Sequence, residues 1–176
     1  MLNLFFIMSS FRRRTRGKSA KYSNSTANIA DHYTVQEPTV ITIGTTRSVP
    51  VVPATDTFGT RKVKNFTLTI DSNNYEMPMA WALVYVPDGQ EPSKLTVTGI
   101  ADNKIPELYK PNQNVIMQGI LNPASNYRPL RFTTRLARNL DSGDSIYLVF
   151  APYGEQTAQV GVVYSIIGTC NYSIKF

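Results

Sequence analysis

The chain has 176 residues, 42% of them apolar, a length and composition that suit one packed domain plus a tail. Only 17% of the residues are charged, Val, Ile, Thr, Tyr and Phe recur, and runs of Ala, Glu, Lys and Leu are missing; an all-β fold is therefore expected and a helical bundle excluded. The net charge of +6 has a single source: Arg12, Arg13, Arg14, Arg16, Lys18 and Lys21 are six cations with no acid among them, while the other twelve Lys and Arg equal the twelve Asp and Glu.

At the start of the chain, Met1 to Ile7 are apolar but lack a preceding positive region and are too short to span a bilayer, so neither a signal peptide nor membrane insertion is expected. Met8 opens a small polar stretch and is a candidate start codon, in which case residues 1–7 are not translated. From Ser9 to Asp31 there is little to bury. Residues 1–33 are accordingly expected to form a disordered basic arm, and residues 34–176 the domain. A block of like charges repels itself and is suited to neutralising phosphates, so nucleic-acid contact is the expected role of the arm. The same residues can serve as a nuclear-import signal. Phe11, Tyr22 and Tyr33 near the arm could stack on unpaired bases or simply pack against the domain.

Beyond the arm, short β-rich runs are separated by Pro, Gly, Asn and Asp at the spacing of a sandwich or barrel. Eight strands are predicted, over residues 39–46, 61–70, 80–86, 94–100, 114–121, 129–137, 145–151 and 160–176. In the second, Phe66, Leu68 and Ile70 alternate with Asn65, Thr67 and Thr69, which places the apolar set on one face. Residues 80–86 and 146–150 are apolar on both faces, as strands covered on two sides would be. The last run is long and contains Gly161 and Gly168, so a bend or bulge at a glycine is expected there, with the strand bridging two sheets. Pro87-Asp88-Gly89 and Asp141-Ser142-Gly143-Asp144 read as turns. There is no internal repeat and no heptad pattern.

Catalytic chemistry finds little support. His32 is the one histidine and lies at the edge of the arm, where a triad would lack a rigid frame, so no enzyme activity is expected. Cys170 is the one cysteine; it excludes an intrachain disulfide and reads as a small buried hydrophobe. Asp141 and Asp144 could ligate calcium, but a solvated turn explains them better, and no metal or cofactor is expected. Arg128, Arg131, Arg135 and Arg138 form a second basic cluster. On a strand, Arg131 and Arg135 share a face with Thr133 and Ala137, opposite Phe132 and Leu136; on a helix, Arg131, Arg135 and Arg138 align. They suit either nucleic-acid phosphate or acids of a neighbouring subunit.

Three blocks carry a family likeness: Ala80-Trp81-Ala82-Leu83-Val84-Tyr85-Val86-Pro87, Leu108-Tyr109-Lys110-Pro111-Asn112-Gln113-Asn114-Val115-Ile116, and the stretch running from Arg135-Leu136-Ala137-Arg138 through Asp141-Ser142-Gly143-Asp144 to Leu148. With the arginine-rich start, the chain resembles the capsid proteins of small circular single-stranded DNA viruses that encode a replication initiator, the circovirus-like group. The blocks cover under a quarter of the chain, and the arm holds fewer basic residues than many such proteins. The resemblance implies one eight-stranded jelly roll of two antiparallel sheets, self-assembly into a small icosahedral shell, packaging of a single-stranded DNA genome by the arm, and residence in the virion and, during assembly, in the host nucleus. Arg12, Arg13, Arg14, Arg16, Lys18 and Lys21, helped by Arg131 and Arg135, are the expected nucleic-acid contacts. A non-viral single-stranded nucleic-acid-binding β-barrel module is the alternative, since a basic tail on a barrel suits it equally. A carbohydrate- or receptor-binding β-sandwich with an incidental basic leader stands further off.

Overall fold

The computed structural model describes residues 21–37, 39–41, 46–56, 58–92, 115–122, 129–152, 154 and 156–176. None of these is helical. Ten strands follow one another: β1 (Ser23–Thr34), β2 (Thr39–Ile41), β3 (Arg47–Val52), β4 (Arg61–Asn73), β5 (Met79–Val86), β6 (Val115–Leu121), β7 (Leu130–Leu140), β8 (Ser145–Pro152), β9 (Gln156–Ala158) and β10 (Val163–Lys175).

Their pairing is that of one long hairpin. β1 pairs with β10, β2 with β9, β3 with β8, β4 with β7 and β5 with β6, all antiparallel. Two further ladders, β10 with β4 and β5 with β8, fold this hairpin over and make two four-stranded sheets, ordered β1-β10-β4-β7 and β3-β8-β5-β6. A hairpin rolled up in this way is a jelly roll. The fold is all-β, as the composition indicates, with the expected two antiparallel sheets.

One apolar core lies between the sheets. Ile29, Phe66, Leu68, Ile70, Tyr164, Ile166 and Cys170 enter it from the first sheet, and Met79, Trp81, Leu83, Ile146, Leu148 and Phe150 from the second. Trp81 stands 4.5 Å, ring centre to ring centre, from Phe132 across the sandwich, a tilted contact that aromatic quadrupoles favour. Gly119 lies opposite Trp81 in the β5–β6 ladder, and a Cβ added there would come within 2.8 Å of the indole. The doubly apolar strands are buried on both faces: Ala82, Val84, Val86, Val149 and Ala151 form a second buried cluster on the far side of the second sheet.

The corner between the sheets is tied by Arg47 of β3, whose Nε lies 2.8 Å from Asp31 Oδ2 of β1 and whose guanidinium sits 5.5 Å from the centre of the Tyr33 ring. At the opposite end, the buried Arg61 donates to the carbonyls of Pro53 at 3.0 Å and Asp144 at 2.8 Å. The bond to Asp144 is buried, so its carbonyl gains a partner in place of water.

Several expectations need correction. Ser23 to Asp31 is not a disordered arm but most of β1, twelve residues long and hydrogen-bonded to β10 throughout. β3 and β9 were not predicted, and the run at 39–46 shrinks to the three residues of β2 where it is described. β10 stays within one sheet. Its register shift falls between Asn171 and Ser173 and not at a glycine, while Gly161 belongs to the turn before the strand. The predicted strand at 94–100 lies outside the described residues.

Candidate nucleic-acid interface

Of the expected nucleic-acid contacts, Arg12, Arg13, Arg14, Arg16 and Lys18 lie outside the described residues, as does Arg128. Lys21, Arg131 and Arg135 are described, and all three are exposed. Arg131 and Arg135 sit on β7, the edge strand of the first sheet, and both point away from the core together with Thr133. Arg138 does not join them: it pairs with the fully buried Val63, on the core side of the sheet. Leu136, expected on the apolar face, is 50% exposed. The cause lies next door on β4, where the ladder sets Arg135 and Leu136 together against the single residue Asn65.

The register of the four strands shows what surrounds these arginines. Across the outer face run the rows Asn28–Thr169–Thr69–Arg131 and Thr26–Asn171–Thr67–Thr133. The next row is Asn24–Ser173–Lys64–Ala137, and beyond it Lys175, Lys62 and Asn139 stand side by side. The face is a lawn of Asn, Ser and Thr, tied across strands by Thr26 Oγ1 donating to Asn171 Oδ1 at 2.6 Å and Ser173 Oγ donating to Asn24 Oδ1 at 3.1 Å. Its cations are Lys62, Lys64, Lys175, Arg131 and Arg135, with Asp71 near one end. Among the described residues the ion pair is Arg47–Asp31, away from this face. Lys62 and Lys175 are direct cross-strand partners, an arrangement in which like charges repel.

The root of the arm enters on the same face. The Lys64 ammonium lies 3.8 Å from the centre of the Tyr22 ring, reaching over β10 to hold the residue before β1. Lys21 is therefore beside this basic patch, and the chain that precedes it starts there. The outer face of the second sheet is the opposite in character. Among the described residues its outward positions, including Ser48, Pro50, Tyr147, Val115, Gln118 and Ile120, carry no charge.

Lys62, Lys64 and Lys175 were missed by sequence reasoning, although a signal for them exists. Val63 and Phe66 both face the core while three residues apart, because Asn65 adopts φ +56° and adds one residue to β4. In the β10 ladder, Asn65 and Phe66 together oppose the single residue Tyr172. The inserted residue hides the two-residue period before it. Counted from Val63 alone, the same period puts Lys62 and Lys64 outward.

The other candidate residues have structural partners. Asp144 is buried, and its carboxylate accepts from the Tyr85 hydroxyl at 2.8 Å, the Asp141 amide at 2.8 Å and the Asp88 amide at 3.1 Å. Burial first and the Asp144 hydrogen bond second push the Tyr85 phenol up to about 12. Asp141 accepts from Thr60 Oγ1 at 2.7 Å. Both carboxylates thus cap backbone and side-chain donors, and no cluster of three or more metal-ligating residues occurs among the described residues. Cys170 is fully buried and its thiol is pushed up to about 12 by desolvation, as suits a core residue. His32 is exposed on β1 opposite Ser165. Tyr33 is packed against Arg47 and the core, which removes it from the candidates for base stacking.

No protein-family profile matches the sequence, and no curated protein does. Among solved structures, a chain of Desmodium yellow mottle tymovirus is 16% identical with a TM-score of 0.34, the match covering 98% of this chain and 95% of that one. The VP2 subviral particle of infectious bursal disease virus is 12% identical with a TM-score of 0.19; 89% of this chain is covered and 42% of that one, so the present chain spans less than half the length of VP2. The jelly-roll assignment rests on the strand pairing itself.

Proposed function

We propose that this chain is a viral capsid subunit that assembles with copies of itself into a small closed shell and holds single-stranded nucleic acid against the outer face of its first sheet. The observation that carries this reading is the division of the sandwich into two unlike faces. One is hydrophilic, bears Lys62, Lys64, Lys175, Arg131 and Arg135, and receives the root of the basic arm at Tyr22. The described outward positions of the other carry no charge. A subunit of a shell needs one side turned to phosphate and other sides turned to protein, and the charges are sorted accordingly. Arg12, Arg13, Arg14, Arg16 and Lys18 would extend the same field, with binding that is independent of sequence and sensitive to salt.

The finer assignment, to the circovirus-like group with a single-stranded DNA genome packaged in the host nucleus, draws on the three sequence blocks. The first forms β5, and the third runs from the edge arginine Arg135 through the Asp144 turn into β8. Electron microscopy of the purified full-length protein tests the capsid reading. Closed particles of one diameter are expected. A protein that binds single-stranded DNA yet stays monomeric at every salt concentration and pH tried would instead be the nucleic-acid-binding module, and the capsid reading would fall.

A further inference from the structure

The outer face of the first sheet contains a local irregularity that a merely electrostatic surface does not need. At Asn65, a residue in the left-handed region of the central strand β4, both neighbouring ladders slip: against β10 the extra residue is on β4, and against β7 it is on β7. Bulges of this kind re-aim side chains at binding sites. What this one re-aims is on the page. It keeps Lys64 outward while Phe66 stays in the core, and it sets Arg135 of the edge strand beside the exposed Asn65. Lys64 in turn holds one face of the half-buried Tyr22 ring at 3.8 Å.

From this arrangement we infer that Tyr22, Lys64, Asn65 and Arg135 form a subsite for one unpaired nucleotide, its base stacked on the ring face of Tyr22 opposite Lys64 and its phosphate met by Lys64 and Arg135. The inference rests on the reading of this face as the nucleic-acid side. A tyrosine fixed by an ammonium on one side presents its other side without the entropy cost of ordering a free ring, and aromatic stacking is tolerant of base identity because every base has a π-face. Asn65 is exposed beside Lys64 and Arg135, where its amide would be offered to a base edge, and its left-handed backbone is one that Asn adopts readily. A paired base has no free face to offer, so the subsite selects single strands over duplex.

The test titrates the full-length protein with labelled oligothymidine and with an abasic oligodeoxynucleotide of the same length, which keeps the phosphates and removes the bases. Tyr22→Ala is expected to weaken oligothymidine binding by about five- to a hundredfold and to leave abasic binding unchanged, while Tyr22→Phe retains both. Lys64→Gln should flatten the salt dependence of both oligomers and weaken oligothymidine more than the abasic strand, since it removes a phosphate contact and also releases the Tyr22 ring. Tyr22→Leu, which keeps apolar bulk at the root of β1, repeats the comparison if Tyr22→Ala melts early. Equal losses on both oligomers, or none on either, would overturn the subsite while leaving the basic face standing. Failure of the unaltered protein to bind either oligomer would overturn the nucleic-acid reading itself.

Discussion

At the level of single residues, the core makes sharp demands that the sequence shows only in part. Trp81 and Phe150 are 1% exposed, and their burial was legible because each sits in a short run apolar on both faces and closed by proline. The need for Gly119 was not legible: Gly119 is required by the indole opposite it, a contact between strands that no local pattern announces. Trp81→Ala and Phe150→Ala should each destabilise the subunit by about 3–5 kcal/mol. Gly119→Ala should destabilise it by roughly 1–3 kcal/mol through overpacking. Denaturant unfolding checks these values; a midpoint unchanged in Gly119→Ala would mean that the Trp81 ring moves freely, against its tilted contact with Phe132. Asn65 teaches the same lesson about legibility. A residue with φ +56° inside a strand shifts the period by one, and a reader following alternation loses the lysines before it.

At the level of elements, the long strands that bury several large side chains were readable, while the short β3 and β9 and the chiefly hydrogen-bonded β1 were not. β1 was mistaken for tail because its outward positions are Asn24, Thr26, Asn28 and His32, and of its inward ones only Ile29 is a large fully buried hydrophobe. Its order comes from an edge ladder with β10, for which sequence offers little sign. The turn between β7 and β8 was readable from Asp141 to Asp144, yet its link to β5 was not. There the Tyr85 hydroxyl donates to Asp144, and the phenol is raised from its ordinary 10 to about 12. A phenol raised in the folded state favours the protonated form, so its contribution to stability is complete below about pH 10 and is lost as the pH rises through 12. Tyr85→Phe should therefore be less stable than the unaltered protein at neutral pH, by about 1.5–3 kcal/mol for one hydrogen bond to a charged acceptor. The gap between the two should close between pH 10 and 12. Cys170, Tyr75 and Tyr172 are also raised by burial, but they remain in both proteins and cancel in the comparison. A gap that stays constant across that range would show that the phenol is not titrating through its bond to Asp144.

At the level of the whole molecule, the charge count holds but its reading changes. Outside Arg12 to Lys21 the positive and negative residues are equal in number, which suggests a neutral domain and an arm that alone binds nucleic acid. Folding separates what the count adds together: Asp88, Asp141 and Asp144 gather at the turns of one end, where Asp144 and Asp141 are engaged as caps, while Lys62, Lys64, Lys175, Arg131 and Arg135 gather on one sheet face. Two bodies of positive charge should then contribute separately to binding. Each phosphate contact with a single strand adds a salt slope of about −0.7, so replacing Arg12, Arg13, Arg14 and Arg16 by Ala should flatten the slope by roughly 3 units. Replacing Lys62, Lys175 and Arg131 by Gln should flatten it by about 2 units. Each contact releases its own counterion, so the two changes in slope should add in the combined variant. Filter-binding titrations in salt measure all three, and an unchanged slope in the Lys62, Lys175 and Arg131 variant would return the whole task to the arm. Stability supplies an independent check. Lys62 and Lys175 repel each other across β4 and β10 when nothing anionic lies between them, so Lys175→Gln alone should raise the melting temperature of the nucleic-acid-free protein slightly while weakening its hold on a single strand. A surface that trades stability for binding in this way was shaped for a polyanion; a variant that loses on both counts would place Lys175 among ordinary structural residues.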